Sequence, residues 1–159
     1  MTPTASDPDF RVRFDGLLDE HRTALHDCLD GLTEEQARMS LVPSRTTLLG
    51  LVKHVTFVET VWFDQAITGR SRQQIGTAET PDESFGLADD DTVHSIQAGY
   101  RDACAASRRA AAALDLENVV TGRSPMPLWQ IYLHMLRELA QHCGHADILR
   151  EQILAGRTP

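Results

Sequence analysis

Residues Leu128 to Leu154 read LWQIYLHMLRELAQHCGHADILREQIL. Apolar positions recur there at helical rather than alternating spacing. Pro127 is a good first-turn residue and Gly156 follows the stretch, so one helix is predicted from about Pro127 to Ala155. A polar stripe runs along it. His134, Glu138 and His142 are spaced i, i+4, i+8, and His145 follows at i+11. At about 100° per residue these four fall inside an arc of roughly 80°. Ile131 and Leu149 share that arc, which places the stripe on the core-facing side. A carboxylate and several imidazoles facing a core are costly unless they are paired or bound to a cation. Spacing alone leaves Glu138 and His142 open to two readings, a hydrogen-bonded structural pair or a pair of metal ligands.

The second informative stretch is Leu51 to Trp62, LVKHVTFVETVW. It belongs to a helix predicted from Thr46 or Thr47 to Ile67, with Ser44 or Thr46 as N-cap and Gly69 as stop. That helix is apolar over much of its surface, as expected of a central helix. His54 shares a face with Leu51, Val58 and Val61 and so points inward. Two helices then present His54, Glu138 and His142 across a core, two nitrogen donors and one oxygen donor. Such a set suits Zn²⁺, Ni²⁺, Fe²⁺ or Mn²⁺ with positions left open, the arrangement of a catalytic rather than a closed structural site. A two-metal bundle would need Glu-x-x-His on two helices; Gln141 stands at that spacing from Glu138, and no second helix matches.

Two further helices complete the chain. Asp9 to Leu32 carries apolar residues at spacings of mostly 3, 4 and 7, and Gly31 can end it. Thr33-Glu-Glu-Gln36 is a capping-box string that predicts a short helical turn. Asp89, Asp90 or Asp91 is expected to cap a helix running to Leu114. Gly69 to Asp90 lacks periodicity and reads as a long crossover between the second and third helices. Asn118 to Pro127 is a turn-rich connection that could hold an extended piece at Val119-Val120. The expected fold is all-α, a four-helix bundle over residues 9–156, with a disordered tail at 1–8 and a short tail at 157–159.

Composition narrows the function. The 159 residues are 42% hydrophobic and carry a formal net charge of −8. That supports a packed core and argues against nucleic acid as a partner. No apolar run approaches a bilayer span, so no membrane partner is expected. Met1 to Asp9 does not read as a secretory signal, and three cysteines without a CxxC suggest neither a disulfide framework nor a Cys-rich zinc module. A cytoplasmic location is the expectation. Cys143 lies about 100° off the stripe, and Cys28 and Cys104 read as core fillers.

The chain resembles the DinB superfamily in its YfiT-like branch of metalloenzymes. The resemblance rests on Thr46-Thr-Leu-Leu-Gly-Leu-Val-Lys-His54, on Val58-Glu-x-x-Trp62-Phe63, on His134-x-x-x-Glu138-x-x-x-His142-x-Gly144-His145-Ala-Asp147, and on Leu149-Arg150-Glu151. It spans roughly Phe10 to Gly156. It implies an up-down-down-up bundle with one divalent metal, Zn²⁺ first among the candidates, at His54, Glu138 and His142. Many members carry His at the position of Glu138; a carboxylate there resembles the mycothiol-dependent maleylpyruvate isomerase domain. His145 replaces the Gln of a His-x-Gly-Gln string and is expected to support a ligand or touch substrate, with direct ligation as the alternative. His134, one turn before Glu138, is a further candidate for the catalytic environment.

The resemblance implies a metal-dependent transferase that uses a low-molecular-weight thiol, such as mycothiol, on a small electrophile in detoxification. Two other readings stand beside it: a non-catalytic metal- or ligand-binding stress-response bundle, and a purely structural one. Arg45, Arg72, Arg123 and Arg137 fall near the expected mouth, and the sequence does not choose among them. A homodimer is expected, from apolar residues on more than one face of the first and third helices.

Overall fold

The computed structural model describes residues 8–156. Residues 1–7 and 157–159, expected to be tails, lie outside the described residues, and Pro8 is already the first residue of a helix. The structure is mainly helical. Helix α1 spans Pro8–Asp27, and Gly31, at φ +75°, turns the chain after it. The short α2, Glu34–Ala37, starts with the expected capping box: Thr33 accepts from Gln36 N, and the Gln36 side chain accepts from Thr33 N.

Helix α3, Leu48–Glu59, is capped by Thr47 rather than by Ser44 or Thr46. Thr47 adopts the extended conformation that lets its hydroxyl accept from Gly50 N at 3.0 Å, while Ser44 and Thr46 bond to each other. The helix continues as a π-helical turn, Thr60–Gln65, and then as α4, Ala66–Thr68. Gly69 ends it at φ +73°. Periodicity gave no sign of the π turn.

The crossover holds α5, Arg72–Ile75, capped by Ser71 and Gln74, and a 3₁₀ turn at Glu83–Phe85. Both are too short to show a period. Helix α6, Val93–Ala112, is capped by Thr92 and not by any of the three aspartates. Asp91 is otherwise engaged: its Oδ2 accepts from Lys53 Nζ and from Ala88 N, each at 2.7 Å. The connection after α6 contains β1, Val119–Val120, and β2, Met126–Pro127, paired antiparallel with Val119 opposite Pro127. Helix α7, Leu128–Leu154, follows at once.

Helix α1 packs on α7, α3 on both α6 and α7, and α1 on α6. The shared core includes Leu18, Leu25, Leu29, Leu51, Val55, Ile131, Met135 and Leu139, all without exposed surface. Each such side chain contributes roughly 1.5–3 kcal/mol by leaving water. A charged pair also crosses the core. Arg22 Nε and Nη2 donate to Glu59 Oε1 and Oε2 at 2.7 and 2.8 Å, with both side chains buried. Burial alone would lower the Arg22 pKa; the bonds to Glu59 raise it above its ordinary value. Among the described residues, the large apolar side chains left exposed lie on α1, on β1 and on α7, with none on α6. Helix α6 turns its large apolar side chains Ile96 and Tyr100 inward, and alanines such as Ala106 are among its exposed residues. No described helix is long and apolar enough to cross a membrane.

Candidate metal centre

Three side chains from α3 and α7 converge. His54, Glu138 and His142 each offer one ligand atom, and these atoms lie within 4.8 Å of one another. Glu138 and His142 stand one turn apart on α7, with His142 Nε2 3.7 Å from Glu138 Oε2. That is too long for a hydrogen bond, so the pair is close without satisfying itself. The His54 and His142 rings meet edge to face at 4.8 Å between centroids.

The crossover sets the orientation of His54. Ser84 Oγ donates its proton to Pro81 O at 2.5 Å, so toward His54 Nδ1, at 2.7 Å, it acts as acceptor. His54 thus carries its proton on Nδ1 and keeps a lone pair on Nε2, the form that a metal ligand requires. Phe85 stacks on the His54 ring at 4.0 Å and 10°. The crossover can come this close because residue 50 is glycine: a Cβ there would sit 2.7 Å from Phe85 O. Ser84 and Phe85 were missed in the sequence reading, because a serine and a phenylalanine in an aperiodic loop carry no signal of what they will touch.

Burial, and then the neighbouring His142, pushes the His54 pKa down to about 4. Burial also lowers that of His142, against the opposing pull of Glu138. Both rings are neutral at neutral pH and present lone pairs. His142 Nδ1 is buried and has no hydrogen-bond partner among the described residues. An orphaned buried nitrogen, a second imidazole fixed in its ligating tautomer and a carboxylate within reach of both form a donor set that could hold a divalent ion.

The remaining expected residues separate. His145 is exposed, its ring 5.6 Å from that of His142, and it stands outside the converging trio. His134 packs on Trp62 at 3.9 Å between centroids, its ring tilted by 42°, and places Nε2 3.7 Å from Glu138 Oε1. It borders the trio without joining it. A cavity of about 220 Å³ opens beside them, lined by His54, Val58, Val61, Trp62, His134 and Glu138, with Arg72 and Arg123 at its edge. Of the four candidate arginines, Arg45 pairs with Asp82 at 3.5 Å and Arg137 is exposed beside Glu138. Only Arg72 and Arg123 face this cavity.

The three cysteines are free thiols, and none joins the trio. Burial raises the pKa of Cys28 and Cys104 to about 12 and that of Cys143 to about 11. Cys143, as expected, points off the ligand stripe, toward His21 O at 3.6 Å. The site therefore has donors and a cavity but no thiolate nucleophile of its own.

Comparison with curated proteins and with solved structures gave no match. The family model described as Mycothiol-S-transferase matches residues 13–155, a span that takes in both helices of the trio and the crossover between them. By that match over nearly its whole length, the chain belongs to the mycothiol-S-transferase family.

Proposed function

We propose that the protein is a metal-dependent S-transferase that joins a mycothiol-like thiol to a small electrophile. The observation that carries this reading is the meeting of His54, Glu138 and His142 beside a cavity that His54 and Glu138 line, in a chain whose own thiols are protonated and elsewhere. Zn²⁺ is the ion we assign, with Ni²⁺, Fe²⁺ and Mn²⁺ as alternatives. The scaffold in this reading is an up-down-down-up four-helix bundle, which the order of helix neighbours supports.

A divalent ion in this trio would supply Lewis acidity, which lowers the pKa of an adjacent thiol from its ordinary value of about 8.5. The chain's residues do the rest. Ser84 and Phe85 hold His54 in one tautomer and one orientation. Val58, Val61 and Trp62 form an apolar wall that keeps water from the reacting atoms. His134 and Arg137 flank Glu138, with nitrogens 3.7 and 3.9 Å from its Oε1. His145, exposed one turn beyond the trio, takes the thiol proton to solvent. The thiol sulfur then forms the bond to the electrophilic carbon as that carbon's bond to its leaving group breaks, and the leaving group departs with the electron pair.

The test measures metal content and mycothiol-dependent loss of an electrophile on untagged protein. One divalent ion per chain, removed by His54→Ala or His142→Ala together with turnover, is the expected result. Metal bound tightly without thiol-dependent turnover would instead establish a non-catalytic ligand-binding bundle. Full metal occupancy in His54→Ala would overturn the site. We place the protein in the cytoplasm, and we propose a homodimer, for which the exposed Phe10, Val12 and Leu17 of α1 offer apolar surface. Sedimentation at the 17.7 kDa monomer mass would overturn the dimer.

A further inference from the structure

Two arginines stand at the edge of the cavity, brought there by different parts of the chain. Arg72 is the first residue of α5 in the crossover, and Arg123 lies in the turn between β1 and β2. Each is laid over an aromatic ring of the α3 run: Arg72 over Phe57 at 5.3 Å, Arg123 over Trp62 at 4.5 Å. Stacking fixes a guanidinium plane while leaving its N–H edge open. Both residues border the inner cavity that His54 and Glu138 line, and both also border the wider opening outside it, of about 620 Å³.

Their charges are not spent on the protein. Arg11, Arg22, Arg45, Arg70 and Arg108 each take a carboxylate partner in this acidic chain. Arg72 donates to the main-chain carbonyl of Glu79, and neither Arg72 nor Arg123 has an ion pair with any described residue. Arg123 has no hydrogen bond to a described residue at all. Glu79 borders the outer opening, but its carboxylate pairs with neither guanidinium. Burial, and then the like charge of Arg72, lowers the Arg123 pKa. Two neighbouring cations held without a counter-ion, with open donor edges at a cavity mouth, are arranged for an anion supplied from outside.

We propose that Arg72 and Arg123 form a clamp for a carboxylate or phosphate group on the electrophile, so that the enzyme acts on anionic electrophiles. This rests on the transferase reading above for the identity of the ligand as substrate, though not for the binding of the anion. The clamp sits at the cavity edge, and the reacting carbon would lie inward from its anionic group, toward the trio.

The test uses unreactive ligands first. Binding of 4-methylbenzoate and 4-methylphenylphosphonate is compared calorimetrically with that of neutral 4-methylbenzamide, on protein as purified and after chelator treatment. Wild type is expected to prefer an anion by about tenfold or more, with or without metal. The tighter of the two anions identifies carboxylate or phosphate as the recognised group. Arg123→Ala should abolish the preference, Arg123→Lys should keep part of it, and Arg123→Glu should reverse it toward 4-methylbenzylamine. A merely structural arginine would not transmit its sign in this way. Equal binding of anion and amide by wild type, or a preference unchanged in both Arg72→Ala and Arg123→Glu, would overturn the clamp. Mycothiol-dependent turnover of 4-(chloromethyl)benzoate and 4-nitrobenzyl chloride separates the two readings. Turnover with no preference for the anionic chloride overturns the clamp alone. An anion preference in binding, with no turnover of either chloride, overturns the transferase and leaves the clamp standing.

Discussion

Two groups of polar side chains lie between the helices, and they are built on opposite principles. Arg22 and Glu59 close on each other through two short hydrogen bonds, and Asp19 adds a third at 3.0 Å. His54, Glu138 and His142 converge within 4.8 Å but do not satisfy one another: the carboxylate is 3.7 Å from His142, and His142 Nδ1 has no partner. A buried group that completes its own bonds fastens the fold. A buried group that leaves donors unmet, on helices rigid enough to hold them there, is prepared for something the chain does not contain.

The largest expected effect would break the first half of this comparison. Glu59→Leu leaves the buried Arg22 guanidinium with only the half-exposed Asp19 as counter-charge and should cost about 3 kcal/mol in urea unfolding, whereas the double variant Arg22→Met/Glu59→Leu should recover most of it. A cost near zero for the single variant would mean that the pair fastens nothing. The second half is tested at Ser84. Ser84→Ala removes the acceptor that holds His54 in its tautomer and should weaken metal binding about 10–100-fold in a chelator competition, with little change in unfolding. A large stability loss without a change in affinity would make the trio a structural device after all.

A third position lies where the hairpin turn packs against the end of the α3 run. A Cβ at Gly122 would stand 2.1 Å from Gln65 O and 2.7 Å from Ala66 O, so Gly122→Ala must displace backbone and should cost about 1–3 kcal/mol. Because Arg123 is the next residue, the same change should weaken anion binding. The smallest effect belongs to a satisfied pair nearer the surface. Burial alone would raise the Asp91 pKa, but the bonds from Lys53 and Ala88 N–H hold it below the ordinary 3.8. Its contribution is therefore present above pH 3.8 and is lost as pH falls through the lower folded value. With solvent screening it amounts to roughly 0.5 kcal/mol, so Asp91→Asn should lower stability by that much at pH 7 and by progressively less as pH falls below 3.8. An effect as large as that of Glu59→Leu would show that satisfaction alone, without burial, sets the scale.

What could be read in advance follows from which interactions are local. His54, Glu138 and His142 were legible because a helix converts spacing into a shared face, and a polar stripe among Ile131, Met135 and Leu139 is conspicuous. Thr33 and Gln36 were legible for the same local reason. Thr92 was not preferred over the three preceding aspartates because the competitor for Asp91, Lys53, is far away in sequence. Ser84, Phe85 and the choice of Arg72 and Arg123 among the arginines depend on where a crossover and a hairpin turn settle. Arg22 and Glu59 were equally hidden: nothing in a charged residue's spacing says that its partner will be buried with it on another helix.

The π-helical turn at Thr60–Gln65 has a consequence for how such a site can change. Its wider winding is marked by Ala66 N bonding back to Val61 O. In an uninterrupted α-helix, gaining or losing one residue would rotate everything beyond it by about 100°. Here the turn lies after His54 and before Gly69, where the crossover begins. A one-residue length change within 60–65 that is not absorbed by exchanging α for π winding leaves His54, which precedes it, opposite α7 and turns only the departing chain, Arg72 included. The segment works as a swivel: the ligand side keeps its register while the side that meets the substrate is free to diversify.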